Sequence, residues 1–270
     1  EYDLYLYPGA NEIQLFAENS EGSEFAFSIP LTITYFDLEK QVKESDLHVV
    51  IINVPEYTDK KINKDYIQNQ CDKIKNVLIS QEGILYKSII FHEYVYIEST
   101  SASIINQLIE TLPGRLKEND DLIIFMSGII TKDVSGNFFL LASDTKNKDL
   151  YLSSVNLKSL AKKISFIHGN TSIFFDISNQ LHESDNQGDI KFSEFFQKEI
   201  IHKSNYSLLF VEGAKGTVFD SIIHGFHKDN DLNGNNSIDI EELNIFISKL
   251  NKTILLTKGR NIPLFLNAGQ

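Results

Sequence analysis

Two stretches of this chain carry residue types whose spacing could do chemistry. The first is a pair of polar segments, each following a short apolar run. Residues 127–130 (Ser-Gly-Ile-Ile) follow Asp121-Leu-Ile-Ile-Phe-Met126, and residues 176–181 (Asp-Ile-Ser-Asn-Gln-Leu) follow Thr171-Ser-Ile-Phe-Phe175. Covalent hydrolysis needs a nucleophile activated by an adjacent base. Neither segment contains a His or a Cys. Ser178 is a hydroxyl without a neighbouring base, and Ile129 carries neither a lone pair nor a proton. His182, four residues beyond Ser178, is the imidazole that could fold back to it, with His92 and His168 as more distant substitutes. Asp176 is either a functional carboxylate or a cap for nearby backbone amides.

The second stretch is the acidic segment 231–242, Asp-Leu-Asn-Gly-Asn-Asn-Ser-Ile-Asp-Ile-Glu-Glu. Asp231, Asn233, Asn235, Ser237 through its carbonyl, Asp239 and Glu242 occupy the oxygen-donor positions of an EF-hand calcium loop, and a helical pattern follows as that motif requires. Asn236 stands where Gly is usual, a residue that also tolerates a left-handed backbone. With two neutral amides among the donors, such a site would hold calcium weakly. The competing reading is an ion-free acidic turn closed by Asx hydrogen bonds. His224 and His227 are spaced i, i+3 and lack an identified third metal ligand, so they read as helix-surface residues. The single cysteine, Cys71, rules out an intrachain disulfide and reads as a small core residue inside a helix, away from both polar segments.

These groups must be positioned by elements the pattern predicts in order. Residues 1–36 read as β: Tyr2 to Tyr7, a turn at Pro8-Gly9-Ala10-Asn11, then Glu12 to Ala17, Phe25 to Phe27 and Leu31 to Tyr35. Such short strands resemble the last strands of an immunoglobulin-like domain, or else form an edge hairpin. Residues 37–46 are a charged linker. From residue 47 the pattern becomes strand and helix in alternation: strands over 47–54, 88–97, 121–126, 171–175 and 206–211, and helices over 63–79, 99–112, 157–164, 192–201, 217–226 and 241–250, with a hairpin after 126 turning at Ser135-Gly136. The runs 121–126 and 171–175 have the continuous apolar character of parallel strands covered on both faces. This alternation predicts an α/β fold, a mostly parallel sheet flanked by helices. Functional groups in such sheets lie beyond the carboxyl ends of the strands.

Bulk composition narrows the function. The 270 residues are 42% hydrophobic and include 19 Phe, ample for a large core. The net charge of −12, with Lys scattered among Asp and Glu, argues against nucleic acid. No run approaches the roughly 18 apolar residues of a membrane span. Beginning at Glu1 without Met, the chain reads as a piece of a longer, multidomain protein.

Over residues 47–270 the order and spacing resemble the caspase-like, metacaspase-type peptidases. "L-H-V-V-I-I-N-V-P-E-Y" is similar to that family's first strand. "N-D-D-L-I-I-F-M-S-G-I-I-T-K-D-V-S-G-N-F-F-L-L-A-S-D-T" resembles the strand ending Ser-Gly-His-Gly with its hairpin. "T-S-I-F-F-D-I-S-N-Q-L" resembles the strand ending Asp-x-Cys-x-Ser-Gly, and "D-L-N-G-N-N-S-I-D-I-E-E-L" the acidic segment before a late helix in many bacterial members. The resemblance implies a caspase-like fold in which Ile129 stands at the catalytic His, Ser178 at the catalytic Cys, and Asp176 where working members help frame a pocket for basic residues. It therefore implies a pseudo-protease that binds a protein or peptide partner. Two other readings stay open: an endopeptidase with an atypical site at Ser178, and a calcium-responsive structural domain. The residues select no compartment and no oligomeric state.

Overall fold

The structure is a computed structural model that describes residues 9–13, 16–18, 25–28, 31–35, 45–59, 71–95, 99–146, 149–176, 192–200, 203, 205–212, 218–233, 237–258 and 263–266. The chain divides into two compact units, Glu1–Val42 and Lys43–Gln270. In the first unit, β1 (Gly9–Ile13), β2 (Phe16–Glu18), β3 (Phe25–Phe27) and β4 (Leu31–Tyr35) form two antiparallel ladders, β1 with β4 and β2 with β3. The turn expected at residues 8–11 is not observed from Gly9 onward. Gly9, Ala10 and Asn11 are strand residues opposite Tyr35, Thr34 and Ile33. Backbone pairing with β4 overrides local turn preference there.

The second unit begins with β5 (Leu47–Asn53), α1 (Cys71–Ile79), β6 (Ile89–Tyr94), α2 (Ala102–Thr111) and β7 (Asp121–Ser127). It continues through β8 (Ile130–Lys132), β9 (Phe138–Leu141), α3 (Leu150–Ser153), β10 (Ser154–Asn156), α4 (Leu157–Ile164) and β11 (Thr171–Asp176). Then come α5 (Phe192–Ile200), β12 (Tyr206–Glu212), α6 (Val218–Gly225), β13 (Ser237–Asp239), α7 (Ile240–Ile247), β14 (Lys252–Lys258) and β15 (Pro263–Leu266). Six strands make the main sheet in the order β6-β5-β7-β11-β12-β14. All are parallel except β14, which runs antiparallel to β12. This is the α/β fold that the alternating pattern predicts.

Side-chain parity explains why the central strands are apolar throughout. Val50, Ile52, Ile124, Ile173 and Phe175 face one core, shared with Ile105 and Leu108 of α2, Leu160 and Ile164 of α4, and Phe192 and Phe196 of α5. Leu47, Val49, Ile51, Ile123, Phe125 and Phe174 face the other, shared with Ile74 and Leu78 of α1, Phe219 and Ile222 of α6, and Leu243 and Ile247 of α7. With helices on both faces, a strand has no wet side to keep polar. Burying each of these side chains contributes about 1.5–3 kcal/mol.

Helix α4 shows how local chemistry sets an element. Asn156 caps it by accepting from the Lys158 and Ser159 amides, Lys162 and Lys163 sit in its last turn, and Leu157, Leu160, Ala161 and Ile164 form the buried stripe at i, i+3, i+4 and i+7. The turn into β11 is pinned by the buried Lys203, whose Nζ donates to the carbonyls of Ile167 and Gly169. Gly169 is required there because a Cβ would lie 1.7 Å from the Asp120 carbonyl oxygen.

Several elements were not expected from the pattern: the helical turn α3 and the strands β10, β13, β14 and β15. Of these β14 carried a readable signal. Its Lys-Thr-Ile-Leu-Leu-Thr-Lys is a β-prone run flanked by lysines, as edge strands commonly are.

Candidate functional site

The carboxyl ends of β5, β7 and β11 lie side by side. Asn53 is the register partner of Ser127, and Ser127 of Asp176, so three polar side chains end three adjacent parallel strands on one face of the sheet. All three are buried. The Ser127 hydroxyl donates to Asp176 Oδ2 at 2.8 Å. Asp176 is thus drawn back under the strand ends as a hydrogen-bond acceptor within the fold.

Next to this row lies a residue that spacing alone placed elsewhere. Cys71 opens the described part of α1, and its Sγ accepts from Asn53 Nδ2 at 3.6 Å. The thiol is one side chain away from the polar row, rather than remote from the strand ends. It is nevertheless 4% exposed and packed among aliphatics, and burial pushes its pKa up to about 11. A thiol so raised is overwhelmingly protonated at neutral pH and is a poor nucleophile. No sequence signal linked Cys71 to Asn53, because 18 positions separate them along the chain. Asn53 Oδ1 is buried with no hydrogen-bond partner among the described residues.

Beyond Ser127 the chain turns into the core instead of opening outward. Ile129 is 2% exposed and belongs to the apolar cluster with Val54, Tyr57, Ile130, Leu140 and Leu141. Its amide donates to the Tyr57 hydroxyl at 2.8 Å, and its carbonyl accepts from the Leu141 amide at 2.9 Å. Burial holds the Tyr57 hydroxyl well above the usual phenol range, so it stays protonated. Gly128 passes tightly through this cluster: a Cβ there would meet Leu140 Cδ1 at 2.8 Å and the Tyr57 oxygen at 3.4 Å.

Ser178 and His182, the sequence's one nucleophile–imidazole pair in this region, lie outside the described residues. The two more distant imidazoles are placed away from the strand ends. His168 is exposed in the turn that enters β11 at its amino end, and His92 on β6 meets His48 near the start of β5.

The acidic segment forms a helix–loop–helix element between α6 and α7, with β13 in the loop. Asp231, Asn233, Ser237, Asp239 and Glu242 are described, and Asn235 and Asn236 lie outside the described residues. Asp239 caps α7 by accepting from the Glu241 and Glu242 amides, both at 2.9 Å. Glu242 Oε1 accepts from the amides of Leu232 at 2.9 Å and Asn233 at 3.1 Å, and its Oε2 from that of Asp239 at 3.2 Å. The carboxylate that would clasp calcium from two sides is therefore committed to three backbone donors. Among the described residues, no group of three or more His, Cys, Asp and Glu side chains is disposed to hold a metal. His224 lies on α6, but the helix ends at Gly225 and His227 lies beyond it, 3.3 Å from Asp229 Oδ2. The two imidazoles are thus not a pair on one helix.

No protein-family model matches the chain, and no curated protein matches it. Solved structures do. The crystal structure of protein GSU0716 from Geobacter sulfurreducens aligns with a TM-score of 0.52 at 10% identity, over 82% of this chain and 96% of that one. A structure of pro-sf-caspase-1 aligns with a TM-score of 0.47 at 11% identity, over 83% of this chain and 94% of that one. At such identity the first likeness shows a shared α/β fold and nothing about activity. No helix among the described residues is long and apolar enough to cross a membrane.

Proposed function

We propose that residues 47–270 form a caspase-like module that has lost peptide-bond hydrolysis and acts by binding a protein or peptide partner within a larger protein. The observation that carries this reading is Ile129. At the end of the strand from which a general base would have to act, the side chain is an aliphatic one, 2% exposed, with its amide tied to Tyr57. The strands β7 and β11, which lead into two of the resemblance segments, are adjacent and in register through Ser127 and Asp176, which supports this reading. The commitment of Asp176 to Ser127 removes the carboxylate from outward work. Residues 1–36 are read, in the same proposal, as the tail of an immunoglobulin-like β domain joined by the linker 37–46 to this module. A partner would be matched by charge: a chain of net −12 attracts basic surfaces and repels nucleic acid.

The test is turnover of a fluorogenic peptide library by pure protein, beside a Ser178→Ala variant. Neither protein is expected to cleave above background. Cleavage by the wild type that disappears in Ser178→Ala would overturn the reading and install an atypical serine site instead.

A further inference from the structure

His48 and His92 stand outside the site described above. His48 is the second residue of β5 and 4% exposed, and His92 lies on β6, the edge strand beside it. His48 Nδ1 is 3.1 Å from His92 Nε2, and His48 Nε2 is 3.4 Å from Asp120 Oδ2. Asp120 is buried and doubly anchored, accepting from the Asp46 amide at 3.1 Å and the Lys117 amide at 2.8 Å.

Proton positions follow from what each group can give or take. A carboxylate only accepts, so His48 Nε2 carries a hydrogen. In the neutral ring its Nδ1 is then a lone pair, which the N–H of His92 Nε2 must fill. The outward Nδ1 of His92 remains open. One extra proton can enter there with every contact kept. A second has only His48 Nδ1 to occupy, where it would face another N–H.

We propose that the Asp120–His48–His92 chain is a latch that fastens the edge strand β6 to β5 in its neutral form and releases it in acid. The charges around it bear this out. On β5's side Asp46 is held by Lys117 Nζ at 2.8 Å, with Lys87 also acting on it. Glu93 of β6 is engaged by Lys75 of α1 at 2.6 Å, and Glu110 of α2 by Lys163 of α4 at 2.6 Å. Arg115 opposes a cation at His92. Asp120 and the already paired Asp46 are the anions acting on His48. Desolvation lowers the pKa of both rings, that of His92 to about 4, where His48 and Arg115 add repulsion. An imidazole in a released strand protonates near 6.5. The open form therefore binds more protons between those values. The latch is at full strength above about pH 6.5 and is lost as pH falls through 4.

Two measurements test this. Nitrogen-15 NMR of the imidazoles at pH 7 is expected to show both rings as the Nε2–H tautomer; an Nδ1–H on His48 would overturn the assignment. Hydrogen exchange, corrected for intrinsic rates, is then followed from pH 7 to pH 4 for residues 89–94 against residues 121–127. Wild-type β6 is expected to lose protection about tenfold more than β7. His92→Gln, whose amide can still donate to His48 but does not titrate, removes one of the two titrating rings and is expected to lose clearly less β6 protection than wild type over the same range. An identical pH course in wild type and variant, or β7 opening in step with β6, would sink the latch.

Discussion

Putting an imidazole back at position 129 is the sharpest test of why the proposed site is silent. In Ile129→His, the chain loses an aliphatic side chain that is 2% exposed within the apolar cluster. Full burial of Ile is worth about 1.5–3 kcal/mol. The new ring must shed water among Val54, Leu140 and Leu141, with the Tyr57 hydroxyl already accepting from the 129 amide. An unsatisfied buried polar group costs about 1–3 kcal/mol. The two effects together predict a loss of roughly 2.5–6 kcal/mol, a large share of the ~5–15 kcal/mol that holds a typical domain. Urea unfolding of wild type, Ile129→His and Ile129→Val measures it, with the Val control losing about 1 kcal/mol. Peptide turnover is measured on the same samples, and none is expected from the His variant. If Ile129→His unfolds within about 0.5 kcal/mol of wild type, then position 129 is not core and the reasoning from its burial collapses.

Further outcomes follow from the same geometry. Tyr57→Phe removes the acceptor of the Ile129 amide and should cost about 1–2 kcal/mol in unfolding free energy, the cost of one buried orphan donor. Asp176→Ala strips the Ser127 hydroxyl of its 2.8 Å acceptor and should destabilise by about 1–3 kcal/mol while leaving peptide cleavage at background. Cys71, buried and with its pKa raised to about 11, should react with Ellman's reagent at pH 8 at least ~100-fold more slowly than a free thiol, and at the normal rate once unfolded. Glu242→Ala deprives the Leu232, Asn233 and Asp239 amides of their acceptor. It should lower stability by about 2–4 kcal/mol equally in chelator and in calcium. A wild-type melting temperature that rises with calcium, and no longer does so in Asp231→Ala, would instead make the loop an ion site.

Apolar runs with no alternation marked β7 and β11 as strands covered on both faces, because local hydrophobicity records burial directly. The strand–helix alternation likewise announced the α/β fold, including the helices over 157–164 and 241–250. The absence of a base at 129 needed only the residue type. Pairing between distant segments is another matter. That Gly9–Asn11 would be strand, that Asn53 would reach Cys71, and that His48 would meet His92 across 44 residues depend on where the sheet sets each backbone. Residue types and their periods are written along one dimension. They fix which side chains are apolar, which can carry a proton and where helices begin. Register between β5, β6, β7 and β11 is chosen by the whole core at once. Only that choice aligns Asn53, Ser127 and Asp176 in one row.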